Sequence, residues 1–449
     1  MLRYLAVITL LAQCAFALGP HEVLLLANRN SPRSLELARE YAELRHIPAA
    51  NLVTLELPAA PSLDMSPDDF TRLILKPAQE AGLQQGVDDH ILAWVYSLDF
   101  PIRITSTPPV SLQGFTFVKG KLPPGEDIRR GTYASPLFAG PDTPVHPGFP
   151  PQSLDVQHSW QGKDFPLPSM LLGFMGPAGN TREEIQACLR AGARSDHTRP
   201  GGTVVIVTNT DVRSLCRQWE FAPAVRELTG QGITTVITND YPRDNLALTG
   251  IMTGAADIPA LSASRFTFRP GAIADNLTSF GAAFESSGQT KITEWIRAGA
   301  TAAAGTVSEP LSIWSKFPSA RIFVFPVAGC TVLESYFQAI RCPLQILIIG
   351  DPLATPWGPS SSLTLDGLPS GTLAERRMVT ATLRSRDGEF FNRFLFLLDG
   401  KTVQATGKSP DVTLDPAALP RGRHKLRVVA YMVGSVRSQI FFETDFEVK

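Results

Sequence analysis

The sequence predicts an α/β domain built on a parallel sheet, followed by a small β-sandwich. From residue 21 onward, apolar runs alternate with segments of helical pattern, and this alternation is typical of a parallel sheet with helices on its faces. After Trp357 the pattern changes to short alternating strands divided by turn residues, which predicts an antiparallel sandwich. A chain of 449 residues is long enough for two domains.

The first strand and helix of the predicted α/β domain carry clear local signals. HEVLLLANRN, residues 21–30, is an apolar run that ends in polar residues. Ser31 is a suitable N-cap for the helix that follows, and Pro32 stands in its first turn, where a missing N–H costs nothing. The apolar positions of that helix recur at near-helical spacing: Leu35, Ala38, Ala42 and Leu44.

The same alternation continues to residue 352. Further strands are predicted at residues 51–58, 90–104, 201–211, 232–240 and 344–352, with a strand-like end to the segment 292–307. Helices are predicted at 66–82, 181–196, 212–232 and in the first part of 292–307. Residues 105–168 are rich in Pro and Gly and have no helical period, so we predict an irregular insertion over one end of the sheet.

The N-terminus predicts export. Arg3 precedes an apolar run, and Ala15-Phe16-Ala17 has the small-x-small pattern of a signal-peptidase site, which predicts a signal peptide at residues 1–17 and a mature chain in the periplasm or at the cell surface. No later segment approaches the roughly 20 apolar residues of a transmembrane helix.

The charge balance narrows the classes of partner. Lys and Arg total 41 against 42 Asp and Glu, for a net charge of -1, so no overall basic field attracts nucleic acid or anionic lipid. The cysteines of the predicted mature chain are too few for a disulfide scaffold. We expect either free buried thiols or a bridge between Cys188 and Cys216.

The C-terminal region reads as a separate module. Residues 358–362, GPSSS, have the composition of a linker, and residues 363–449 form the predicted sandwich with a turn at Asp399-Gly400. The segments FLLDGKTV and LPRGRHKLRVVAY resemble the immunoglobulin-like modules of bacterial surface proteins. That resemblance implies spacing, docking or binding rather than catalysis.

Polar residues follow several predicted strands and are the candidate site residues. In a parallel sheet, ligands bind outside the carboxyl ends of the strands. The candidates at these ends are Asn28, Asn30, Asp99, Asn209, Asp211, Asp240 and Asp351. Asn209 and Asp211 also have a structural explanation as helix caps, and Asp240 and Asp99 as turn or bend residues; we interpret Asp351 in ILIIGDP primarily as a turn carboxylate. No spacing of carboxylates requires a metal, and no cofactor is expected.

The block at residues 265–310 supplies the remaining candidates. Ser279 and Glu309 provide a hydroxyl and a carboxylate at the rim of the sheet, while the many small residues suit a close crossing of helix and sheet. The chain contains no G-x-S-x-G, H-E-x-x-H, C-x-x-C or phosphate-loop motif, and none of its seven His residues lies in a catalytic pattern.

Several separated motifs resemble one family. LLLANRNSPRSLELAREYAELRHIPAANL, FRPGAIADNLTSF, GATAAAGTVSEP and LQILIIGDPLATPW resemble an uncharacterised family of secreted bacterial proteins from species that carry the exosortase sorting system. The resemblance covers about residues 20–357 and implies no established activity.

A more distant resemblance is to the catalytic domain of gingipain-type cysteine peptidases, which implies a caspase-like α/β fold. Those enzymes use a His in a Gly-His-Gly loop and a Cys after the next strand. The corresponding segments here are Thr253-Gly254-Ala255-Ala256 and Asn276-Leu277-Thr278-Ser279, which contain neither residue. Thiol peptidase chemistry needs both a thiolate and a base.

These observations lead to one functional expectation and one rival. We expect an exported, non-catalytic protein on a caspase-like or flavodoxin-like domain of residues 18–357, binding an unknown protein or polysaccharide of the cell envelope. The rival is a peptidase or esterase that uses Ser279 with strand-end carboxylates. It requires Asp351, Asp99 and Asp211 to meet in one cleft.

Overall fold

A ten-stranded sheet organises the N-terminal three quarters of the chain. The structure is a computed structural model that describes residues 15–242, 245–258, 261, 266–368, 371–386 and 388–449, so positions 1–14 of the predicted signal peptide lie outside the described residues. The strands of this sheet are β1 Val23–Asn28, β2 Leu52–Leu55, β3 Ala93–Tyr96, β4 Ser169–Leu171, β5 Thr203–Val207, β6 Thr234–Thr238, β7 Leu246–Thr253, β8 Phe266–Asn276, β9 Ala302–Thr306 and β10 Ile346–Gly350.

The sheet consists of two parallel halves with the same strand order. Its order is β6-β5-β7-β8-β9-β10-β4-β3-β1-β2. In each half the second strand in the chain lies outside the first, and the third, fourth and fifth follow on the other side. The fifth strand of the half that contains β1 to β4 is β10. In the chain, β10 comes after all five strands of the other half, β5 to β9.

The halves join through an antiparallel pair. β9 and β10 run in opposite directions, with Ala302 opposite Gly350, whereas the other neighbours in the sheet are parallel. The α/β class predicted from the sequence is confirmed, but the sheet is mixed rather than wholly parallel. The carboxyl ends of the strands in one half therefore lie at the opposite rim of the sheet from those in the other half.

β7 and β8 are central strands that the apolar pattern does not predict. The register between them shifts after Leu248, where residues 269–272 of β8 are extra to the pairing. Pro270 and Gly271 lie in this irregular part of β8. Proline and glycine are tolerated inside a sheet at such bulges, and they also interrupt the periodicity by which a strand is recognised.

Helices and two apolar cores cover the faces of the sheet. Leu25, Val95 and Ile348 enter one core, while their neighbours Leu24, Trp94 and Ile349 enter the other. The helices are α1 Pro32–Arg45, α2 Pro67–Phe70, α3 Lys76–Gln85, α4 Leu112–Phe117, α5 Gly125–Arg130, α6 Leu154–Gln161, α7 Arg182–Ser195, α8 Val212–Leu215, α9 Phe221–Gly230, α10 Ile292–Arg297, α11 Val324–Val327 and α12 Val332–Ala339. The segment predicted as an irregular insertion contains α4, α5 and α6.

The C-terminal module is formed by two antiparallel sheets. Its strands are β11 Ser362–Asp366, β12 Arg377–Arg384, β13 Phe391–Leu398, β14 Lys401–Gly407, β15 Asp411–Leu414, β16 Gly422–Met432 and β17 Gln439–Val448. One sheet has the order β11-β12-β15, and the other contains β17-β16-β13-β14 with the short strand Ala15–Phe16 at its edge. Side chains from both sheets share a third core, which includes Val379, Phe396 and Val428.

The module packs against the α/β unit through the outer face of its larger sheet. Leu395, Leu397, Val429, Tyr431 and Phe441 belong to the same apolar core as the strands and helices of the α/β unit. A sheet buried on both faces produces continuous apolar runs, which explains the sequence RFLFLL and RVVAY. We call this contact the seam.

Candidate functional site

The candidate residues lie on two opposite rims of the ten-stranded sheet. The first rim, at the carboxyl ends of β1 to β4 and β10, contains Asn28, Asn30, Asp99 and Asp351. The second rim, at the carboxyl ends of β5 to β9, contains the remaining candidates: Asn209, Asp211, Asp240, Ser279 and Glu309. The three carboxylates required by the hydrolase hypothesis do not share a cleft, because Asp211 lies on the rim opposite to Asp99 and Asp351.

On the first rim, Asn28 ties two strand ends together. Its Nδ2 donates to the carbonyl oxygens of Pro58, at 2.8 Å, and Asp99, at 3.1 Å. Its Oδ1 accepts from the backbone N–H of Asn30 at 3.1 Å, and its own N–H donates to the Ser34 Oγ at 3.0 Å. Asn28 is fully buried, so its side chain fills the space between β1 and β3.

On the second rim, Asn209 makes the same set of contacts. Its Nδ2 donates to the Gly254 carbonyl at 3.0 Å, and its Oδ1 accepts from the Asp211 N–H at 2.8 Å. Its N–H donates to the Ser214 Oγ at 3.3 Å. Asp211 in turn caps α8 by accepting from the Arg213 N–H at 2.9 Å.

The two halves therefore share a motif as well as a strand order. It is NRNSPRS at residues 28–34 and NTDVRS at residues 209–214. In each half the asparagine spans the ends of the first and third strands, where the direction of strand order reverses and where ligands of open α/β sheets usually bind. Because the protein's own side chains bridge both positions, Asn28, Asn209 and Asp211 have structural explanations.

Asp99 and its neighbours form a closed polar cluster beside Asn28. The Asp99 carboxylate accepts from the Ser31 Oγ at 2.5 Å and from Arg33 Nε at 2.7 Å, and its backbone has a φ of 58°. Ser31 also caps α1, as predicted, by accepting from the Ser34 N–H. Asn30 is exposed and donates to the Leu57 carbonyl at 2.8 Å.

Asp351 follows β10 at the first rim, but its carboxylate is buried in an ion pair and does not face the solvent there. It is fully inaccessible to solvent and accepts from the Tyr41 hydroxyl at 2.8 Å, from Arg45 and from the Leu353 N–H. Arg45 also pairs with Asp196. Gly192 of α7 permits this approach, since a Cβ there would lie 2.7 Å from the Asp351 carboxyl carbon.

Arg45 shows why the site was not fully predictable. The buried stripe of α1 contains Leu37, Tyr41 and Arg45, spaced four residues apart, rather than the predicted positions alone; Leu35, Ala42 and Leu44 are only partly buried. An arginine continuing an apolar i, i+4 stripe is the sequence signal for a buried guanidinium. A second buried arginine, Arg217, pairs with Asp275 at 2.6 Å and donates to the Thr253 carbonyl at 2.7 Å.

Ser279 and Glu309 are in contact on the second rim. The Ser279 Oγ donates to Glu309 Oε1 at 3.2 Å, and the same oxygen accepts from the Leu311 N–H at 2.7 Å. The Gln289 side chain anchors the loop that contains Ser279. Its Oε1 accepts from the Thr278 hydroxyl at 2.6 Å and from the Phe280 N–H at 2.9 Å. Among the described hydrogen bonds, none joins a histidine to this serine.

The small residues near Ser279 allow two backbones to approach closely. A Cβ on Gly305 of β9 would lie 2.9 Å from the Gly281 carbonyl carbon and 2.7 Å from the Ile292 Cγ2. Close packing therefore explains the glycines of this block, as the sequence pattern allowed.

We expect Gly305→Ala to lower the free energy of unfolding by about 1–3 kcal/mol, because the added methyl group overpacks this contact. Denaturant unfolding checks the value. Gly230→Ala, at an exposed position where a Cβ meets nothing within 4 Å, is the matched control. Equal stability of the two variants would contradict the packing explanation.

The two segments that the gingipain resemblance would align with the catalytic loops, residues 253–256 and 276–279, lie next to each other. Thr253 and Asn276 are paired across β7 and β8. The Asn276 side chain clamps the first loop by accepting from the Ala255 N–H at 3.0 Å and donating to its carbonyl oxygen at 3.1 Å. Asp240, which follows β6, is exposed. None of the described hydrogen bonds joins its carboxylate to these two loops.

The thiols are not activated nucleophiles. Cys188, Cys216, Cys330 and Cys342 are free, and the first, third and fourth are buried. Burial raises the pKa of all four thiols, to about 11 for Cys342. A thiol with a raised pKa is a poor source of thiolate at neutral pH.

A cleft lined by polar and apolar side chains lies at the seam. This seam cleft has a volume of about 560 Å³, within the range of small-molecule sites. One wall comes from α1 and the loop after it, and the other from the turns and strands of the module. The charged and titratable lining residues are Arg39, Glu43, His46, Asp399, Lys425, Arg427 and Glu443.

An ion-pair network joins the two walls of the seam cleft. Glu443 accepts from His46 Nδ1 at 3.2 Å and from Arg427 Nη2 at 2.6 Å, and Arg427 also donates to the His46 carbonyl oxygen. Burial opposes ionisation, but the His46 hydrogen bond and the charge of Arg427 hold the pKa of Glu443 well below its usual range. The predicted turn at Asp399-Gly400 packs on the Pro48 side chain.

Comparisons with known proteins add little. No protein-family model matches the chain, and no curated protein matches its sequence. Among solved structures, the chain is similar to the fibronectin(III)-like modules of Clostridium thermocellum CbhA, with 22% identity over 20% of this chain and 97% of that chain, at a TM-score of 0.17. A score this low supports no argument about function.

The described residues contain neither a membrane-spanning helix nor a metal-binding cluster. No helix in this part of the chain has the length and apolarity needed to cross a membrane. Within the same residues, no group of three or more His, Cys, Asp or Glu side chains is arranged to hold a metal ion.

Proposed function

We propose that the protein is an exported, non-catalytic binding protein whose ligand occupies the seam cleft. The observation that carries this proposal is the cleft itself, which is formed jointly by the α/β unit and the docked module. Export is inferred from the N-terminal apolar segment and the Ala15-Phe16-Ala17 pattern.

The chemistry of the second rim supports a non-catalytic role. At the positions that resemble a peptidase dyad, Asn276 holds the two loops together, and Ser279 contacts an exposed carboxylate. A nucleophile needs an adjacent base that is itself oriented by a third group. We infer that a caspase-like scaffold, whose halves each have the flavodoxin-like strand order, persists here without its dyad.

The lining of the seam cleft favours a peptide segment of an envelope protein as ligand. Ile47, Leu52 and Leu397 provide an apolar floor. Arg39 and Glu43, both exposed on α1, make no ion pair within the described part of the chain. An apolar floor flanked by free charges of both signs suits an extended peptide, whose side chains alternate between buried and solvated.

Peptide selection tests this assignment. Peptides from a random phage-displayed library should be enriched on the full-length protein, and their binding should weaken about tenfold in Arg39→Glu, as expected when one charge contact is reversed at a rim. Arg226→Glu, an exposed arginine on α9, is the matched control. Failure to enrich any peptide, or equal binding by both variants, would overturn the seam-cleft assignment.

The serine separates this proposal from its catalytic rival. We expect no hydrolysis of casein or p-nitrophenyl acetate above the level of Ser279→Ala, and a change of less than about 1 kcal/mol in the free energy of unfolding, because one exposed hydrogen bond is lost. Turnover by the wild-type chain that disappears in Ser279→Ala would instead establish the hydrolase.

A further inference from the structure

A second cleft opens at the other end of the seam. It has a volume of about 260 Å³ and lies beside Arg393 and Tyr431, whereas the seam cleft lies beside Leu397 and Arg427 of the same two strands, β13 and β16. We call it the polar cleft. Its defining residues are Glu22, His90, Asp155, Arg393, Tyr431 and Arg437.

The base of the polar cleft contains buried hydroxyl and carboxyl groups. The Tyr431 hydroxyl lies 3.2 Å from His21 Nε2 and 3.5 Å from Glu22 Oε1. The other oxygen of Glu22 accepts from the Gly19 N–H and from Gln439 Nε2, both at 2.7 Å. These contacts orient the groups at the base without help from a ligand.

Burial disfavours the charged forms of two acids that line this cleft, Glu22 and Asp155. Burial, reinforced by Asp155, raises the pKa of Glu22 well above its ordinary value. Burial also raises the pKa of Asp155, whose carboxylate pairs with Arg437 at 3.3 Å. A raised pKa favours the neutral form of Glu22, which repels an anion less than a carboxylate does.

The mouth of the polar cleft presents an unpaired cation. Arg393 is exposed and makes no hydrogen bond or ion pair with the described residues. His158 and Asp89, both exposed, line the same cleft, and the Asp89 carboxylate accepts from His90 Nδ1 at 2.6 Å. A guanidinium without a protein partner is a fixed fork of donors that matches a carboxylate.

We propose that the polar cleft binds a small polyhydroxylated carboxylate, with the carboxylate on Arg393 and the hydroxyl groups directed toward Tyr431 and Asp155. The volume lies just below the range typical of drug-sized ligands, which suits a molecule of the size of one sugar ring. The inference does not depend on peptide binding in the seam cleft.

Isothermal titration of the full-length protein with D-glucuronate and D-glucose tests the proposal. The two probes share a ring and differ in the carboxylate. Glucuronate should bind about tenfold more tightly than glucose, which corresponds to about 1.4 kcal/mol for one charge-assisted contact. Arg393→Ala should reduce glucuronate binding to the level of glucose.

Two further variants complete the test. Arg384→Ala removes an exposed arginine from the other sheet of the module and should bind glucuronate like the wild type. Tyr431→Phe keeps the ring in the core and should weaken both probes by a similar factor, with thermal unfolding showing that the variant is folded. Absence of glucuronate binding by the wild type, or unchanged binding by Arg393→Ala, would overturn the proposal.

Discussion

Replacing Asp351 with alanine is expected to lower the free energy of unfolding by about 3–5 kcal/mol, the cost typical of removing one partner of a buried ion pair. The variant removes a carboxylate that neutralises the buried Arg45 guanidinium and also leaves the Tyr41 hydroxyl without its acceptor. It further opens a space beneath Gly192. Guanidinium chloride unfolding, analysed with a common m-value, measures the loss.

Two controls define the origin of this loss. Asp240→Ala removes an exposed carboxylate after a strand of the same sheet and should change stability by no more than about 0.5 kcal/mol. The triple variant Arg45→Met, Asp351→Leu, Asp196→Asn removes the guanidinium and both of its carboxylate partners and should recover part of the loss, because no uncompensated charge stays buried. A loss below about 1 kcal/mol in Asp351→Ala would show that Arg45 does not need this carboxylate.

Glu334 is expected to make the protein less stable as the pH rises toward neutrality. Its carboxylate is fully buried on α12 and accepts from the Thr331 N–H at 2.8 Å and the Leu154 N–H at 2.9 Å. Burial, which outweighs these hydrogen bonds, raises the pKa of Glu334 to about 7. The folded state therefore binds the proton more tightly than the unfolded state does.

The sign and size of the effect follow from this pKa. The stabilisation is fully present below the ordinary pKa of about 4.5 and is lost as the pH rises through about 7, a change of about 3 kcal/mol. Chemical denaturation across this range measures the profile. Glu334→Gln mimics the neutral acid, so its profile should be flatter by about this amount.

Other buried acids make it necessary to compare variants rather than read the wild-type profile alone. Burial also raises the pKa of Glu220, to about 8, which contributes in the same direction. Glu183→Gln, at an exposed position on α7, should leave the wild-type profile unchanged. Identical profiles for Glu334→Gln and Glu183→Gln would show that Glu334 is already ionised at acidic pH.

Local signals in the sequence were sufficient for the elements with clear boundaries. Ser31 and Pro32 placed the start of α1, and the apolar run before Asp351 is β10, as predicted. These signals act over a few residues, because caps and apolar runs are determined by neighbouring side chains. The four free thiols agree with one of the two alternatives for the cysteines.

Strand direction and long-range pairing were not available from the same signals. The run Ile346–Gly350 is apolar on both faces, and such a strand fits equally between parallel or antiparallel neighbours. For this reason the sequence did not indicate that β9 and β10 are antiparallel. The consequence for the candidate site is large, since it places Ser279 and Asp211 on one rim and Asp99 on the other.

Buried charges were the other source of error. The sequence places Arg45 in the last turn of a helix, where a basic residue is ordinary; its place in the apolar i, i+4 stripe signals burial, but only the structure identifies Asp351 as its partner. Glu22 and Arg393 are about 370 residues apart in the chain and line one cleft only because the module docks on the α/β unit. Such a site depends on tertiary contacts, which no local pattern specifies.

The antiparallel junction between the two halves also determines the electrostatic field of the molecule. Each helix is a dipole with its positive end at the N-terminus, and in a wholly parallel α/β domain the helices that follow the strands align. Here α1 begins at the first rim and α8 at the opposite one, so the helix dipoles of the two halves oppose each other. With a net charge of only -1, the chain has neither a strong monopole nor the aligned dipoles of a parallel domain. We therefore expect any ligand of the clefts to be selected by short-range contacts and to associate at a rate that depends weakly on salt.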